Sequence, residues 1–508
     1  AKGVKVQATA TITNAKGETS TITAEASYTP TVKSAAPTAK PATSKDIQGA
    51  TQTGTPTFAG STVTVNGEEK AITIKDNSYT LLDKDGNEVT TTIAYAEDGT
   101  TPIGTFTIDP ATGTVTFTPT DKSYTGKVTP VKVQAESSNG IKVDTTYTPE
   151  IVPVTPTATP AETTDIQGAT QTGKPEFKGG TVTVDGVEKT VEINEAVPAT
   201  FEDGSTTKTV EGVGTYTVAP DGTVTFVPEK SFVGTAPAVT VVREDMNGTK
   251  ASATYTPTVT PVTPTAEDAT STDKQGQTQS GKPTFTPGNS NVPMDDDVPA
   301  TFEDGSTTKT IPGEGTYTVA PDGTVTFVPE KSFTGTGTGV TVKRVDKNGT
   351  PVTAKYTPTV TPVTPTAEPA TSIGPKGKEQ SGKPTFKEGD SRVPMNDNVP
   401  ATFEDGSTTK TIPGVGTYTV AADGTVTFKP EPEFTGTAPS VTVVREDMNG
   451  TKASATYTPT VLPETTFVDE NGNPIPGYPS EDGEQPKKDI PGYEFVKTVV
   501  DANGNVQH

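Results

Sequence analysis

One thirteen-residue segment occurs three times, almost unchanged, in this chain of 508 residues. It reads GTYTVAPDGTVTF at Gly214–Phe226 and again at Gly315–Phe327, and GTYTVAADGTVTF at Gly416–Phe428. Whatever structure the segment forms must therefore be present in several copies. This constraint favours a fold assembled from repeated units over a fold built around one large core.

The repeated segment predicts a β-hairpin. Tyr216, Val218, Val224 and Phe226 alternate with threonines, so that one face is apolar and the other carries hydroxyl groups. The two arms are joined by APDG at Ala219–Gly222. Because Pro presets φ and Gly accepts a positive φ, we expect a type I turn followed by a glycine bulge, with the apolar face in a core.

Other motifs recur at fixed distances from the hairpin. Gln-Thr/Ser-Gly-Xaa-Pro-Xaa-Phe lies upstream, and a Val-rich strand, an Asn-Gly pair and Tyr-Thr-Pro lie downstream. The tyrosines of Tyr-Thr-Pro are Tyr28, Tyr147, Tyr255, Tyr356 and Tyr457, which sets a period of about 100 residues. A period of that length is typical of a complete domain rather than of a solenoid repeat.

Each unit is predicted to be an all-β, Ig-like β-sandwich of about seven short strands, since turn signals come about every ten residues and helix signals are nearly absent. We expect a tandem array of such units. The predicted parts are the C-terminal strands of a truncated repeat (residues 1–34), repeat A (35–152), repeat B (153–260), repeat C (261–361), repeat D (362–461) and a C-terminal module (462–508).

Proline-rich segments separate the units, as at Tyr255–Glu267 and Tyr356–Glu368, which both read YTPTVTPVTPTAE. Spaced prolines favour an extended, PPII-like backbone. We therefore predict semi-rigid linkers that rise about 3 Å per residue and join independently stable sandwiches into an elongated rod.

The composition limits the classes of function. Lys and Arg number 40 against 63 Asp and Glu, a net charge of −23, so the chain should repel nucleic acid and anionic lipid. The absence of Cys excludes disulfides, thiolate nucleophiles and zinc–thiolate sites. No apolar run is long enough to insert into a membrane.

No catalytic or cofactor-binding residue is predicted, and we expect no enzyme activity. The adjacent acids Glu202 and Asp203 precede a glycine in a turn, whereas a glycosidase needs two carboxylates that face each other across a cleft. The one histidine, His508, is terminal, which argues against Ser/His and Cys/His chemistry.

Two short motifs resemble a metal site and a sorting signal. MDDDVP at Met294–Pro299 offers carboxylates of the kind that calcium prefers, but the aligned segments of the other repeats do not keep the charge, which favours a solvated loop. LPETT at Leu462–Thr466 nearly spells the sortase signal LPXTG. Because Thr466 stands in place of the Gly and acidic sequence follows, we interpret this segment as a linker and expect the true anchor beyond it.

The Asn-Gly pairs are predicted to close a second hairpin in each repeat, at Asn139, Asn247, Asn348 and Asn449. As turn residues, these asparagines should be exposed, which argues against isopeptide bonds that bury Lys, Asn and an acid together. Asn-Gly-Thr at Asn247 also matches the glycosylation sequon, which the turn explains without a sugar.

The units resemble CshA-type fibril repeats of streptococcal and related Gram-positive surface proteins. The resemblance is carried by Gly-Thr-Tyr-Thr-Val and Asp-Gly-Thr-Val-Thr-Phe of the hairpin, by Ser332–Thr336, and by Val239–Pro257 with its copy Val441–Pro459. It extends to about Val461 and is weakest in repeat A, where Gly86–Thr100 is longer and VPATFEDG is absent. The C-terminal module, with Phe467–Gly477 and Ile490–Thr498, resembles part of a MucBP-like, β-grasp module.

This resemblance implies the structural stalk of a cell-surface fibril that projects an adhesive tip and supports adhesion and biofilm formation. It also implies an extracellular location on the bacterial cell wall. The alternative is that the repeats are themselves adhesive and bind host extracellular glycoproteins or neighbouring bacterial surface proteins through edge strands or Thr-rich faces. The expected form is a monomeric rod, with lateral association as an open alternative, and the ligand-binding residues are not identified.

Overall fold

The computed structural model describes residues 2–508, which contain strands and turns and no helix. Among these residues, accordingly, no helix is long and apolar enough to cross a membrane. Contacts within the chain define two compact units, Ala1–Pro261 and Val262–His508. The first unit holds an N-terminal hairpin and repeats A and B, and the second holds repeats C and D and the C-terminal module.

The first unit begins with an antiparallel hairpin, β1 (Val4–Thr13) and β2 (Thr19–Tyr28), in which every residue is exposed. Repeat A follows with β3 (Thr38–Lys40), β4 (Ala42–Ile47), β5 (Gln52–Gly54), β6 (Thr57–Ala59), β7 (Ser61–Val65), β8 (Glu68–Ile72), β9 (Thr80–Leu82), β10 (Glu88–Val89), β11 (Thr91–Tyr95), β12 (Pro102–Ile108), β13 (Val115–Pro119), β14 (Val131–Glu136) and β15 (Lys142–Val152). Repeat B has β16 (Thr157–Thr159), β17 (Ala161–Ile166), β18 (Gln171–Gly173), β19 (Glu176–Lys178), β20 (Gly180–Val184), β21 (Val187–Val191), β22 (Thr200–Phe201), β23 (Thr207–Val210), β24 (Gly214–Val218), β25 (Val224–Pro228), β26 (Gly234–Thr235), β27 (Val239–Glu244) and β28 (Lys250–Thr260).

The second unit repeats the same order without the hairpin that corresponds to β20 and β21. Repeat C has β29 (Thr265–Glu267), β30 (Ala269–Lys274), β31 (Gln279–Gly281), β32 (Thr284–Thr286), β33 (Thr301–Phe302), β34 (Thr308–Ile311), β35 (Gly315–Val319), β36 (Val325–Pro329), β37 (Gly335–Thr336), β38 (Val340–Val345) and β39 (Pro351–Thr361). Repeat D has β40 (Thr366–Glu368), β41 (Ala370–Pro375), β42 (Gln380–Gly382), β43 (Thr385–Lys387), β44 (Thr402–Phe403), β45 (Thr409–Ile412), β46 (Gly416–Val420), β47 (Val426–Pro430), β48 (Gly436–Thr437), β49 (Val441–Glu446) and β50 (Lys452–Leu462). The C-terminal module has β51 (Glu464–Thr466), β52 (Glu481–Asp482), β53 (Val499–Val500) and β54 (Val506–Gln507).

Each repeat is a sandwich of a five-stranded and a four-stranded sheet, which confirms the predicted fold class. In repeat B the larger sheet has the order β17-β28-β27-β22, with β26 also paired to β28, and the smaller sheet has the order β18-β25-β24-β23. Repeats C and D have the same topology. Repeat A differs, since its larger sheet takes β9 and β10 at one edge in the order β10-β9-β14-β15-β4.

The repeated thirteen-residue segment forms the central hairpin of the smaller sheet, as predicted. In repeat B, Val218 pairs with Val224, and Gly222 at the turn has φ of 89°. The rings of Tyr216 and Phe226 lie 4.6 Å apart and are fully buried. Each such aromatic side chain contributes roughly 1.5–3 kcal/mol by leaving water, so the alternating pattern specifies both the hairpin and the face that enters the core.

The four repeats have four separate apolar cores, and the C-terminal module has a fifth, small one around Phe467, Ile475 and Ile490. Several small cores are what the low apolar content predicts. Neighbouring repeats within each compact unit also touch, because side chains of repeat B contact repeat A and side chains of repeat D contact repeat C. That each sandwich is stable by itself stays a prediction.

The predicted linkers are much shorter in the structure. Of the predicted linker Tyr356–Glu368, the first six residues belong to β39 and the last three to β40, which leaves residues 362–365 between strands. Val363 in that gap is 3% exposed. The Thr and Val residues are already extended, so they join the sheet ladder wherever a neighbouring strand is available, and only four residues remain as a connection.

The LPETT segment is also not a linker. Leu462 ends β50 and Glu464–Thr466 forms β51 of the C-terminal module. Thr465 is fully buried, and its hydroxyl donates to the carbonyl oxygen of Gly483 at 2.6 Å. The alternation of buried and exposed residues in β50 continues into this segment, and β52 and β54 of the module pair with β51.

Candidate functional site

The first long strand and the last strand of every repeat lie side by side and run parallel. In repeat A, β4 and β15 pair over six residues, from Ala42 with Tyr147 to Ile47 with Val152. The same six-residue register occurs between β17 and β28, β30 and β39, and β41 and β50. The remaining strand pairs of the described repeats are antiparallel, so the parallel pair is where the chain enters and leaves each sandwich.

A set of three polar side chains joins these two strands to the second sheet, and we call it the polar lock. Its Tyr and Gln are buried, and its Ser or Thr is partly buried. In repeat A, Ser44 Oγ donates to Gln52 Oε1 at 2.7 Å and lies 2.7 Å from Tyr147 Oη. Because the single proton of Ser44 is used on Gln52, Tyr147 is the donor to Ser44. Gln52 Nε2 then donates to the carbonyl oxygen of Glu150 in β15 at 3.1 Å.

All four repeats contain the polar lock. The donor to Gln is a serine in three repeats and Thr163 in repeat B, and the glutamine side chain returns to the last strand in each, at 3.0–3.1 Å. The members are Ser44, Tyr147 and Gln52; Thr163, Tyr255 and Gln171; Ser271, Tyr356 and Gln279; and Ser372, Tyr457 and Gln380.

The polar lock explains two of the recurrent motifs. Tyr-Thr-Pro supplies its tyrosine, and Gln-Thr/Ser-Gly supplies its glutamine. The glycine of the second motif is needed because the tyrosine ring lies directly on it: a Cβ at Gly54 would lie 2.3 Å from Cε2 of Tyr147. At Gly382 the corresponding distance to Tyr457 is also 2.3 Å.

The tyrosines of the polar lock are fully buried, and their hydroxyl groups stay neutral. Burial raises the pKa of Tyr147, Tyr255, Tyr356 and Tyr457, and the hydrogen bond to the serine or threonine hydroxyl opposes that rise only in part. The glutamines are 3–8% exposed and have both of their polar atoms in hydrogen bonds. A fully satisfied polar network of this kind rigidifies the strands that it joins.

The aspartates of Met294–Pro299 are held in ion pairs. Lys347 Nζ lies 2.6 Å from Asp295 and 2.7 Å from Asp297, and Arg344 lies 2.7 Å from Asp296. Across residues 2–508, no group of three or more His, Cys, Asp or Glu side chains is arranged to hold a metal ion. The carboxylates pin a loop against the end of the larger sheet in repeat C.

The other candidate residues have structural roles. Asp203 Oδ1 accepts the backbone N–H of Ser205 at 2.9 Å in a turn, and hydrogen bonds from Ser205 hold the pKa of this carboxyl below its usual value. His508 stacks on Phe467, with 5.6 Å between ring centroids, and its Nε2 lies 2.7 Å from the carbonyl oxygen of Gln485. Both side chains stabilise local structure.

The expectation that the Asn-Gly asparagines are exposed holds for Asn139 and is wrong for Asn247, Asn348 and Asn449, which are half-buried. Asn247 and Asn449 each close a hairpin as predicted, and each donates its side-chain amide to the preceding repeat, to the carbonyl oxygens of Gln48 at 2.8 Å and Gln275 at 2.9 Å. A contact between domains leaves no periodic pattern within one repeat, and this is why the sequence did not indicate it.

The chain is similar in part to several known proteins. The chain shares 50% identity over 76 residues with the muramidase-released protein of Streptococcus suis, an alignment that covers 15% of this chain and 6% of that protein. The extracellular domain of protocadherin γB4 is similar over 91% of this chain and 72% of its own, with 13% identity and a TM-score of 0.32. Mouse cadherin-23 EC22–24 is similar over 65% of this chain and all of its own, with 16% identity and a TM-score of 0.26.

Two family models match the chain. The model of the SSSPR-51 domain matches residues 463–508, the segment that resembles a MucBP-like module in sequence. The model of the surface adhesin CshA repetitive domain matches residues 34–151, 153–259, 261–360 and 362–461. The chain therefore belongs to the family of surface adhesin CshA repetitive domains.

Proposed function

We propose that the repeats are the load-bearing stalk of a bacterial cell-surface fibril. In this role they carry an adhesive region away from the cell wall, and support adhesion and biofilm formation, without catalysing a reaction. The observation that carries the proposal is the parallel pairing of the first and last strands in all four repeats.

Parallel terminal strands resist tension because of where the chain enters and leaves. In repeat D the chain enters at the Ala370 end of β41 and leaves at the Leu462 end of β50, which are opposite ends of one paired ribbon. Tension along the chain therefore pulls the two strands past each other. Hydrogen bonds between strands lie across the strand direction, so all six residue pairs are loaded together instead of one after another.

The polar lock reinforces the same pair of strands. In repeat D, Ser372 on β41 and Tyr457 on β50 are joined directly, and Gln380 ties both to the smaller sheet. Sliding β41 past β50 breaks these three hydrogen bonds, which are partly buried and include the buried side chains of Tyr457 and Gln380. A buried polar group that loses its partner costs about 1–3 kcal/mol, so the polar lock raises the barrier to forced unfolding.

Single-molecule stretching of the full chain between its two ends tests this proposal. We expect separate unfolding events for the repeats, each releasing roughly 300 Å of contour for a repeat of about 100 residues. Gln279→Leu should lower the unfolding force of one event. Gln277→Leu, two residues away and outside the polar lock, should leave it unchanged. Unfolding of all repeats at forces that barely exceed the noise would contradict a load-bearing role.

The alternative function, adhesion by the repeats themselves, is separable by binding. The full chain and a version that ends at Val461 are applied to immobilised fibronectin, mucin and salivary glycoprotein. A stalk binds none of them in either version. Binding by both versions would assign adhesion to the repeats, and binding lost with residues 462–508 would assign it to the C-terminal module.

A further inference from the structure

The joint between repeats C and D is built on one asparagine side chain. The turn between β49 and β50 lies on the turn that follows β30, where Asn449 Nδ2 donates to the carbonyl oxygen of Gln275 at 2.9 Å. Gln275 is 6% exposed. Its own side chain donates to the carbonyl oxygen of Lys331 at 2.9 Å and accepts the N–H of Val363 at 3.1 Å, so it links repeat C, the connecting residues and repeat D.

The joint between repeats A and B is built in the same way. Asn247 Nδ2 donates to the carbonyl oxygen of Gln48 at 2.8 Å, and Gln48 Nε2 donates to Ser123 O at 3.0 Å and Thr249 Oγ1 at 2.6 Å. Gln48 Oε1 accepts the N–H of Val154 at 3.3 Å. Two joints in separate compact units thus require a side-chain N–H donor at the same turn position.

The asparagine side chain lies so close to a glycine of the preceding repeat that no larger residue fits at the glycine position. A Cβ at Gly276 would lie 2.1 Å from Asn449 Oδ1, and a Cβ at Gly49 would lie 2.2 Å from Asn247 Oδ1. An ion pair flanks each joint, Arg392 with Asp273 at 3.0 Å and Lys189 with Asp46 at 2.5 Å. The asparagine side chain is therefore closely packed against the preceding repeat in both joints.

Each of these asparagines precedes a glycine, and this sequence permits a specific reaction. The backbone nitrogen of Gly450 attacks Cγ of Asn449, so that an N–Cγ bond forms, the Cγ–Nδ2 bond breaks, and the amide proton leaves with Nδ2 as ammonia. Water then opens the five-membered succinimide at either carbonyl group and leaves aspartate or isoaspartate. Glycine has no Cβ to hinder the attack, and water is the only co-reactant.

The product cannot make the joint. A carboxylate has no N–H to donate, so it faces the carbonyl oxygen of Gln275 as a second acceptor. Isoaspartate also inserts a methylene into the backbone of a turn in which Asp447 Oδ1 accepts the N–H groups of Asn449 and Thr451, both at 2.9 Å. Either product removes the hydrogen bond that seats repeat D on repeat C.

We infer that Asn247 and Asn449 are deamidation sites whose modification irreversibly loosens the joint between consecutive repeats. In the closed joint, Nδ2 of Asn449, the leaving nitrogen, is held by the carbonyl oxygen of Gln275 in the preceding repeat. The reaction follows opening of the joint. Deamidated asparagines therefore accumulate in chains whose joints have opened, which turns a rigid connection into a flexible one.

The chain contains a matched control for this reaction. Asn471 precedes Gly472 in a turn of the same kind, in which Asp469 Oδ1 accepts the N–H groups of Asn471 and Asn473 at 2.8 and 2.9 Å. Asn471 is exposed, whereas Asn449 is half-buried and bonded to the preceding repeat. Only the Asn449 turn contacts a neighbouring repeat. A difference between the deamidation rates of Asn449 and Asn471 therefore measures the protection that the joint gives.

The consequence of the modification is tested with Asn449→Asp in the full chain. Hydrogen–deuterium exchange at the amide of Val363, which is bonded to Gln275, should accelerate by at least about tenfold, the factor for a local opening made easier by about 1.4 kcal/mol. The control Asn471→Asp should leave this amide unchanged. Unchanged exchange at Val363 in Asn449→Asp would overturn the inference.

The modification itself is followed by peptide mapping of the full chain during storage in mildly alkaline buffer. Asn471 should deamidate at least about tenfold faster than Asn449, since only Asn449 is protected by a closed joint. Gly276→Ala, which displaces Asn449 without altering the Asn-Gly pair, should remove most of that difference. Equal rates at Asn449 and Asn471 in the wild-type chain, or no acceleration at Asn449 in Gly276→Ala, would contradict the inference.

Discussion

Repeats C and D have the same strand topology and nearly the same sequence, but one position in their cores differs in charge. Val415 in repeat D packs against the core, and Glu314 at the same place in repeat C is 7% exposed. Tyr418 of repeat D donates its hydroxyl to the carbonyl oxygen of Pro439 at 2.7 Å. The corresponding Tyr317 of repeat C donates instead to Glu314.

A second segment, which contacts the glutamate, also differs between repeats C and D. Gly337-Thr338-Gly339 replaces the Ala-Pro-Ser of repeat D, and Thr338 donates its backbone N–H to Glu314 Oε1 at 2.9 Å and its hydroxyl to Oε2 at 2.7 Å. A Cβ at residue 337 would lie 2.9 Å from Oε1. In repeat C, the buried carboxylate of Glu314 is thus accompanied by hydrogen-bond donors and by the space that Gly337 leaves.

The largest effect is expected when the glutamate is introduced alone. Val415→Glu places a carboxylate in repeat D, where a proline supplies no N–H and Ala438 occupies the space, so it should lower the free energy of unfolding of repeat D by about 3 kcal/mol. Hydrogen exchange with mass spectrometry across a urea series measures each repeat separately. Val399→Glu, at an exposed valine of the same repeat, is the control, and an unchanged midpoint for repeat D would refute the expectation.

The reverse change, which removes the glutamate from repeat C, should lower the free energy of unfolding by a smaller amount. Glu314→Val leaves the hydroxyl of Tyr317 and the N–H of Thr338 without their acceptor in repeat C, a loss of about 2 kcal/mol. The same urea series measures it, with the exposed Glu303→Val as the control. A gain in stability would mean that the carboxylate is only tolerated in repeat C.

A change in the polar lock should affect both repeats alike. Gly281→Ala in repeat C and Gly382→Ala in repeat D place a methyl group 2.3–2.4 Å from the buried tyrosine ring, and each should lower the free energy of unfolding of its repeat by about 1–2 kcal/mol. Ser381→Ala, at the exposed neighbouring position, is the control. If the loss in free energy of unfolding differed strongly between the two repeats, the polar lock would depend on the rest of the core.

The smallest effect concerns pH. Burial pushes the pKa of Glu314 up, but hydrogen bonds from Tyr317 and Thr338 outweigh it and hold the pKa below the ordinary value of 4.5. A depressed pKa in the folded state means stability that is complete above pH 4.5 and is lost as the pH falls through the folded value. The stability difference between the wild-type chain and Glu314→Val should therefore shrink below pH 4.5 in urea unfolding. A difference that stays constant down to pH 3 would refute the assignment.

The sequence predicted the features that depend on residues close together in the chain. Alternation with period two placed Tyr216 and Phe226 on the buried face, and the Asp-Gly turn set the register of their hairpin, because both are properties of neighbouring residues. The recurrence of Tyr-Thr-Pro marked the repeats for the same reason. These predictions needed no knowledge of which strands meet.

What the sequence did not predict depends on residues that are far apart. The polar lock joins Ser44 to Tyr147, 103 positions along the chain, and the joint brings Asn247 to Gln48, 199 positions away. Asn247 was expected to be exposed because an Asn-Gly turn usually faces solvent. Its contact comes from the neighbouring repeat, and no property of its own turn encodes that contact.

The direction in which repeat D is pulled tests the load-bearing role most directly. The chain has no cysteine, so pairs of introduced cysteines define the two attachment points in the full chain. With attachment at Glu368→Cys and Leu462→Cys, force loads β41 and β50 along their length. With Thr371→Cys and Thr458→Cys, which are paired residues, force peels the strands apart from one end. We predict a clearly higher unfolding force for the first pair. Equal forces for the two directions would contradict the account, since the parallel terminal strands would then give no protection against tension.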